Sequence, residues 1–298
     1  MAPRLFRIAE KMKMNRTSRG LLVLAALALG LALFLRPPGL DVRDGRDDRG
    51  RNGVALDRAW ITDAAPSALV VGEFARSMRE HRIAELCVEL PPPNADGTLA
   101  AIDSARIDAL LYECYDARGW ARIGVAGLPY DDPRWRRFFL VDLRRLLDRL
   151  PRLRGVLLDF SGIGDVSPAL LTLLDELRPA LAPDARLLGI VARQWDEPYF
   201  REVARRAELL VIPLEISSSP FSRFSVKTGV ERIRNTLAWC EGKPVFFGIP
   251  ADQGLRRALS TIHFALSKTN APEQYQGIIL QSPPAAAWSE LRTHFLRP

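Results

Sequence analysis

From residue 58 onward, hydrophobic and polar positions alternate between two regimes. Short apolar runs occur at 58–63, 83–90, 121–127, 154–160, 186–192, 208–214, 244–249 and 276–281. Each is of strand length, and each is followed by a stretch with apolar residues three and four apart, the spacing of one helix face. Those stretches cover 67–80, 104–118, 136–150, 168–181, 197–206, 226–240, 255–268 and 285–296, with 197–206 the shortest and weakest. Asp103-Ser104, Ser167-Pro168 and Pro284 place capping side chains or first-turn prolines where helices should begin.

Alternating strands and helices, with strands apolar on both faces, predict a parallel sheet covered by helices. Eight repeats over about 240 residues match a closed (β/α)8 (TIM) barrel in number and length. An open doubly wound sheet is the competitor. It would usually carry a Gly-rich phosphate turn after its first strand, and Ala64-Ala65-Pro66-Ser67 contains none. The predicted fold class is α/β: a single (β/α)8 TIM barrel over 58–298, preceded by an N-terminal hydrophobic anchor segment.

That segment has its own pattern. Arg4, Arg7, Lys11, Lys13, Arg16 and Arg19 form a basic head over residues 1–19, and an apolar run from Gly20 to Leu35 ends at Arg36-Pro37-Pro38. Residues 20–36 read as a transmembrane anchor or a cleaved signal segment, with the head cytoplasmic and the barrel on the periplasmic or extracellular side. Cleavage would release a secreted barrel. Residues 37–57, rich in Gly, Asp and Arg, read as a flexible linker.

Charge adds one exclusion. The formal net charge is +7, but residues 1–53 hold 11 basic and 5 acidic side chains, leaving 31 basic against 30 acidic in the rest. A nearly neutral domain lacks the basic face that nucleic acid requires, so no nucleic-acid partner is expected. Cys87, Cys114 and Cys240 give no complete disulfide framework, though Cys87 and Cys114 are compatible with a bridge or with buried free thiols. His81, His263 and His294 are scattered, with no metal-ligand spacing, and no cofactor motif appears.

Chemistry in such barrels sits at the C-terminal mouth, on strand ends and the loops after them. The polar residues there are Asp63, Glu89, Tyr130, Asp159, Ser161, Arg193, Trp195, Glu215 and Gln281. Strand parity puts Glu85, Cys87 and Glu89 on the barrel side, and groups Leu157 with Asp159 and Ser161, and Val211 with Glu215. Two acids facing one mouth would serve as general acid and base in glycoside hydrolysis, and the candidates are Asp159, Glu215 and Glu89. Asp63, Tyr130, Trp195, Arg193 and Gln281 are candidate substrate contacts, and Trp60 and Tyr199 would add aromatic faces for sugar rings. Each has an ordinary alternative. Asp159 would cap loop amides or pair with an arginine, Glu89 and Glu215 would reach solvent, Asp63 would cap the next helix, and the aromatics would pack. Arg193 and Lys227 also leave a phosphate ligand open.

The fourth strand and its flank, Leu153-Arg154-Gly155-Val156-Leu157-Leu158-Asp159-Phe160-Ser161, resembles the D-G-x-D-x-D-x-E signature of the family-18 glycoside hydrolases. Gly155 matches the Gly and Asp159 the last Asp. Leu157 replaces the middle Asp, and Ser161 stands where the family's catalytic Glu would be. Ile212-Pro213-Leu214-Glu215 falls where the family carries Met-x-Tyr-Asp, while Gly248-Ile249-Pro250-Ala251 and Tyr275-Gln276-Gly277-Ile278 also look chitinase-like.

The resemblance implies a glycoside hydrolase-like barrel acting on a polysaccharide or cell-wall glycan, and the N-terminal segment would tether it to a membrane. In the family, the Glu protonates the glycosidic oxygen and the adjacent Asp orients the substrate's acetamido group. A serine hydroxyl cannot donate that proton near neutral pH. Either Glu89 or Glu215 has taken over the acid's role, or the barrel is a non-catalytic glycan-binding or scaffold protein of the cell envelope.

Overall fold

The computed structural model describes residues 24–26, 49–62, 65–163, 167–193, 197–214, 222–250 and 255–281. Eight parallel strands form one closed barrel in chain order, and β8 hydrogen-bonds to β1. The strands are β1 (Gly53–Leu56), β2 (Glu85–Leu90), β3 (Arg118–Gly124), β4 (Leu153–Asp159), β5 (Leu187–Val191), β6 (Leu209–Pro213), β7 (Val245–Pro250) and β8 (Tyr275–Gln281). Among the described residues the covering helices are α1 (Ala68–Glu80), α2 (Ser104–Glu113), α3 (Pro133–Arg149), α4 (Pro168–Leu181), α5 (Glu197–Arg206), α6 (Ser222–Trp239) and α7 (Leu255–Leu266). The helix expected at 285–296 lies outside them. The caps work as the sequence implies: Asp103 accepts from the amides of Ala105 and Arg106, and Ser167 from that of Leu170.

One strand differs from expectation. The described part of the run 58–63, residues 58–62, does not enter the sheet, and residues 58–61 form a 3-10 turn whose cap, Asp57, accepts from the amide of Ala59. Its apolar character serves the outer layer, where Trp60 lies 4.7 Å from Phe74 of α1, ring centre to ring centre. The true first strand, Gly53–Leu56, is four residues long and wholly buried. It follows directly on the polar linker, so periodicity does not reveal it. Gly53 belongs there because a Cβ would come within 2.7 Å of the Glu85 Cβ. The barrel therefore begins at residue 53, inside the stretch expected to be linker. Of the expected anchor, only residues 24–26 are described; among the described residues no helix is long and apolar enough to cross a membrane.

Two apolar clusters hold the fold. The larger lies between sheet and helices, and the smaller fills the barrel with Ala55, Cys87, Trp120, Leu157, Val191, Leu209, Val211, Phe246 and Ile279. Below the smaller cluster, at the N-terminal end of the barrel, Glu85 is only 1% exposed. Its carboxylate accepts from Arg51 (3.2 Å), from Arg118, and from the Trp120 indole N–H (2.9 Å). Arg51 also donates to Gln276 (2.7 Å) and stacks over Phe246. A buried carboxylate survives only when paired and hydrogen-bonded. Glu85 meets both conditions, so this end of the barrel is a structural floor.

Cys87, Cys114 and Cys240 are free and buried. Burial pushes the Cys114 thiol up to about 12 and the Cys87 thiol higher still. Cys87 belongs to the inner cluster and Cys114 to the outer one, so the bridge between them does not form. A colorimetric thiol reagent at neutral pH should therefore find none of the three in native protein and all three after denaturation. At Gly155, a Cβ would overlap the carbonyl of Leu187 on the neighbouring strand. Gly155→Ala should accordingly cost about 1–3 kcal/mol, seen as a thermal midpoint lowered by several degrees.

Candidate active site

Asp159 closes β4 at the mouth, and Arg122 projects from β3 beside it. The registers Arg122↔Leu157 and Gly124↔Asp159 bring the two side chains together. Arg122 Nε donates to Asp159 Oδ2 at 2.8 Å, and Arg122 Nη2 donates to the same oxygen. Oδ1 accepts from the Ser161 amide at 2.8 Å and the Ser161 hydroxyl at 2.6 Å. An ionised carboxylate has about four acceptor sites, and all four are used. The pair is largely shielded, with Asp159 13% and Arg122 17% exposed.

This arrangement determines what the positions aligned with the family-18 signature can do. Ser161 turns its hydroxyl back onto Asp159 and is not poised over the mouth. Leu157, where the family has Asp, is buried in the inner apolar cluster. Asp159 itself has no acceptor left for a substrate N–H or O–H unless Arg122 moves away.

The remaining candidates are distributed as follows. Glu89, on β2 next to Arg122 in register, forms an ion pair with Arg58 at 3.2 Å, and both are substantially exposed. An exposed pair of this kind contributes little stability, so Glu89 is available at the rim. Gln281 ends β8 half-buried, with its amide 3.5 Å from where a Gly248 Cβ would lie, so it faces the lumen. Arg193 is exposed just after β5. Tyr130 packs against the outer core, as Trp60 does, and Tyr199 is half-exposed on α5. Asp63, Trp195 and Glu215 lie outside the described residues. Among the described residues no group of three His, Cys, Asp or Glu could hold a metal ion.

Sequence reasoning missed two residues that shape the mouth. Arg122 carried a signal: it is the lone charge in the apolar run 121–127, on the parity that faces the lumen. Arg136 of α3 carried none. Only 8% exposed, it donates to Glu176 (2.9 Å) and to the carbonyls of Tyr130 and Asp131 (3.1 Å each), pinning the loop after β3.

No family model and no curated protein sequence matches the chain. Solved structures do match in fold. The spore cortex-lytic enzyme SleL of Bacillus cereus is 14% identical over 83% of this chain and 75% of its own, with a TM-score of 0.57. SleL of Bacillus megaterium QM B1551 is 11% identical over the same shares, at 0.56. The family-18 chitinase ChiB of Flavobacterium johnsoniae is 14% identical over 82% of this chain and 92% of its own, at 0.54. At these identities the likeness is one of fold, a closed eight-stranded β/α barrel.

Removing one partner of a shielded ion pair leaves the other charge uncompensated. Arg122→Ala and Asp159→Ala should each destabilise the protein by roughly 3 kcal/mol, measured by denaturant unfolding. The double variant should lose clearly less than the sum, because the two side chains act as one unit.

Proposed function

We propose that this barrel binds a cell-envelope glycan and does not hydrolyse it. The observation that carries this reading is the complete occupation of the Asp159 carboxylate by Arg122 and Ser161. Glycoside hydrolysis of the kind the resemblance implies needs a carboxylic acid over the glycosidic oxygen and a second carboxylate free to engage the substrate or water. Here a serine stands at the first position and a neutralised aspartate at the second. A Glu89 or Glu215 hydrolase would have to rebuild both functions elsewhere on the rim.

What the mouth does offer is a hydrogen-bonding rim. Glu89, Arg58, Arg193 and Gln281 present charges and an amide at strand ends, as recognition of sugar hydroxyls requires. The similar folds belong to a chitinase and spore cortex-lytic enzymes, so the ligands to test first are chitin and peptidoglycan. The N-terminal sequence supports a location outside a membrane, with the chain tethered through residues 20–36 or released if these are cleaved.

Full-length protein should release no fluorophore from fluorogenic chito-oligosaccharides or peptidoglycan fragments, matching an Asp159→Ala control. It should nevertheless be retained on insoluble chitin or peptidoglycan in a sedimentation assay. Retention should fall at least severalfold in a Glu89→Ala/Gln281→Ala double variant whose thermal midpoint is unchanged. Turnover by wild type that Glu89→Gln or Glu215→Gln abolishes would establish the hydrolase instead.

A further inference from the structure

We infer that the outer face of α3 docks on an anionic phospholipid surface. Eight exposed residues, Arg134, Arg137, Phe138, Val141, Arg144, Arg145, Asp148 and Arg149, share one side of this helix at spacings of three and four. The stripe runs about 22 Å at 1.5 Å per residue and carries five arginines against one aspartate. Arg145 pairs with Asp142 at 3.1 Å. Among the described residues Arg134, Arg137, Arg144 and Arg149 have no carboxylate partner. Exposed arginines without an ion pair also occur elsewhere among the described residues, Arg76 and Arg79 on α1, Arg82 just after it, and Arg154, Arg193 and Arg234 singly on other elements, whereas Arg152 pairs with Asp108 and Arg205 with Glu241. What sets α3 apart is that four such arginines share one face of a single helix, beside two exposed apolar side chains.

The middle of the stripe decides the occupant. Phe138 is 52% and Val141 43% exposed, and Arg137 and Arg144 flank them. A dissolved polyanion needs the guanidinium groups but gives the phenyl and isopropyl groups nothing to enter. A lipid interface accepts both: apolar tips sink below the headgroups while arginine stems reach up to the phosphates. Clustered arginines gain affinity roughly additively near an anionic surface. Only residues 36–52 separate the apolar run ending at Leu35 from the first strand, a reach of at most ~60 Å. If 20–35 lies in a bilayer, the barrel cannot leave its neighbourhood.

A test on the full chain separates this surface from the N-terminal segment. An environment-sensitive fluorophore is attached at Phe138→Cys, since the native thiols are buried, and the protein is mixed with vesicles of phosphatidylcholine containing 30% phosphatidylglycerol. The expected result is a blue shift with a severalfold rise in emission, absent on pure phosphatidylcholine. Adding Arg137→Glu and Arg144→Glu should abolish it, and the same label at Tyr199→Cys on α5 should stay aqueous. An aqueous label on the anionic vesicles would overturn the proposal. So would an equal shift on pure phosphatidylcholine, or a shift produced by soluble polyphosphate but not by vesicles.

Discussion

The carboxylate of Asp159 cannot be counter-ion to Arg122 and a free agent toward a sugar at the same time. Both oxygens are committed, one to the guanidinium of β3 and the other to the turn that Ser161 begins. The constraint is geometric as much as electrostatic. Parallel pairing of β3 with β4 sets Arg122 two residues below Asp159 in register, on the same face, so the guanidinium meets the carboxylate. Two further substitutions relative to the family-18 pattern, Leu157 and Ser161, fit the same logic. With an arginine in the mouth, an apolar side chain beneath it and a hydroxyl beside it complete a self-satisfied cluster.

Around that cluster the barrel is filled. Apolar side chains from all eight strands meet at the centre, with Leu187 of β5 packed against them, and Glu85 with its two arginines and the Trp120 indole seals the far end. The two polar assemblies have different standing. The floor carboxylate is almost wholly hidden and serves stability. The mouth carboxylate sits closer to solvent, with its arginine partner beside it.

The repeat architecture was legible because each strand is buried on both faces and each helix on one, which writes two distinct periods into the sequence. α4 and α5 have the bounds read from spacing alone, 168–181 and 197–206. The first strand was not legible. Four residues are too few for a period to register, and an apolar 3-10 turn followed close behind to imitate it. At the site, parity placed Glu85, Cys87 and Glu89 on the barrel side and grouped Asp159 with Leu157 and Ser161, and an arginine partner for Asp159 was one of the alternatives left open beside a catalytic role and a loop cap. The partner's identity required the β3–β4 register, which no single strand encodes. Arg136 was hidden for a related reason: its bonds run from one helix to the next and to loop carbonyls, and neither leaves a pattern in the chain.

The most direct measurement is a crystal structure of the full-length protein with a chito-oligosaccharide long enough to cross the mouth. The expected result is an intact oligosaccharide on the rim, with the Arg122–Asp159 pair closed beneath it. A cleaved sugar, or Asp159 turned off Arg122 and onto the substrate with a second carboxyl at the glycosidic oxygen, would contradict the binding-only assignment.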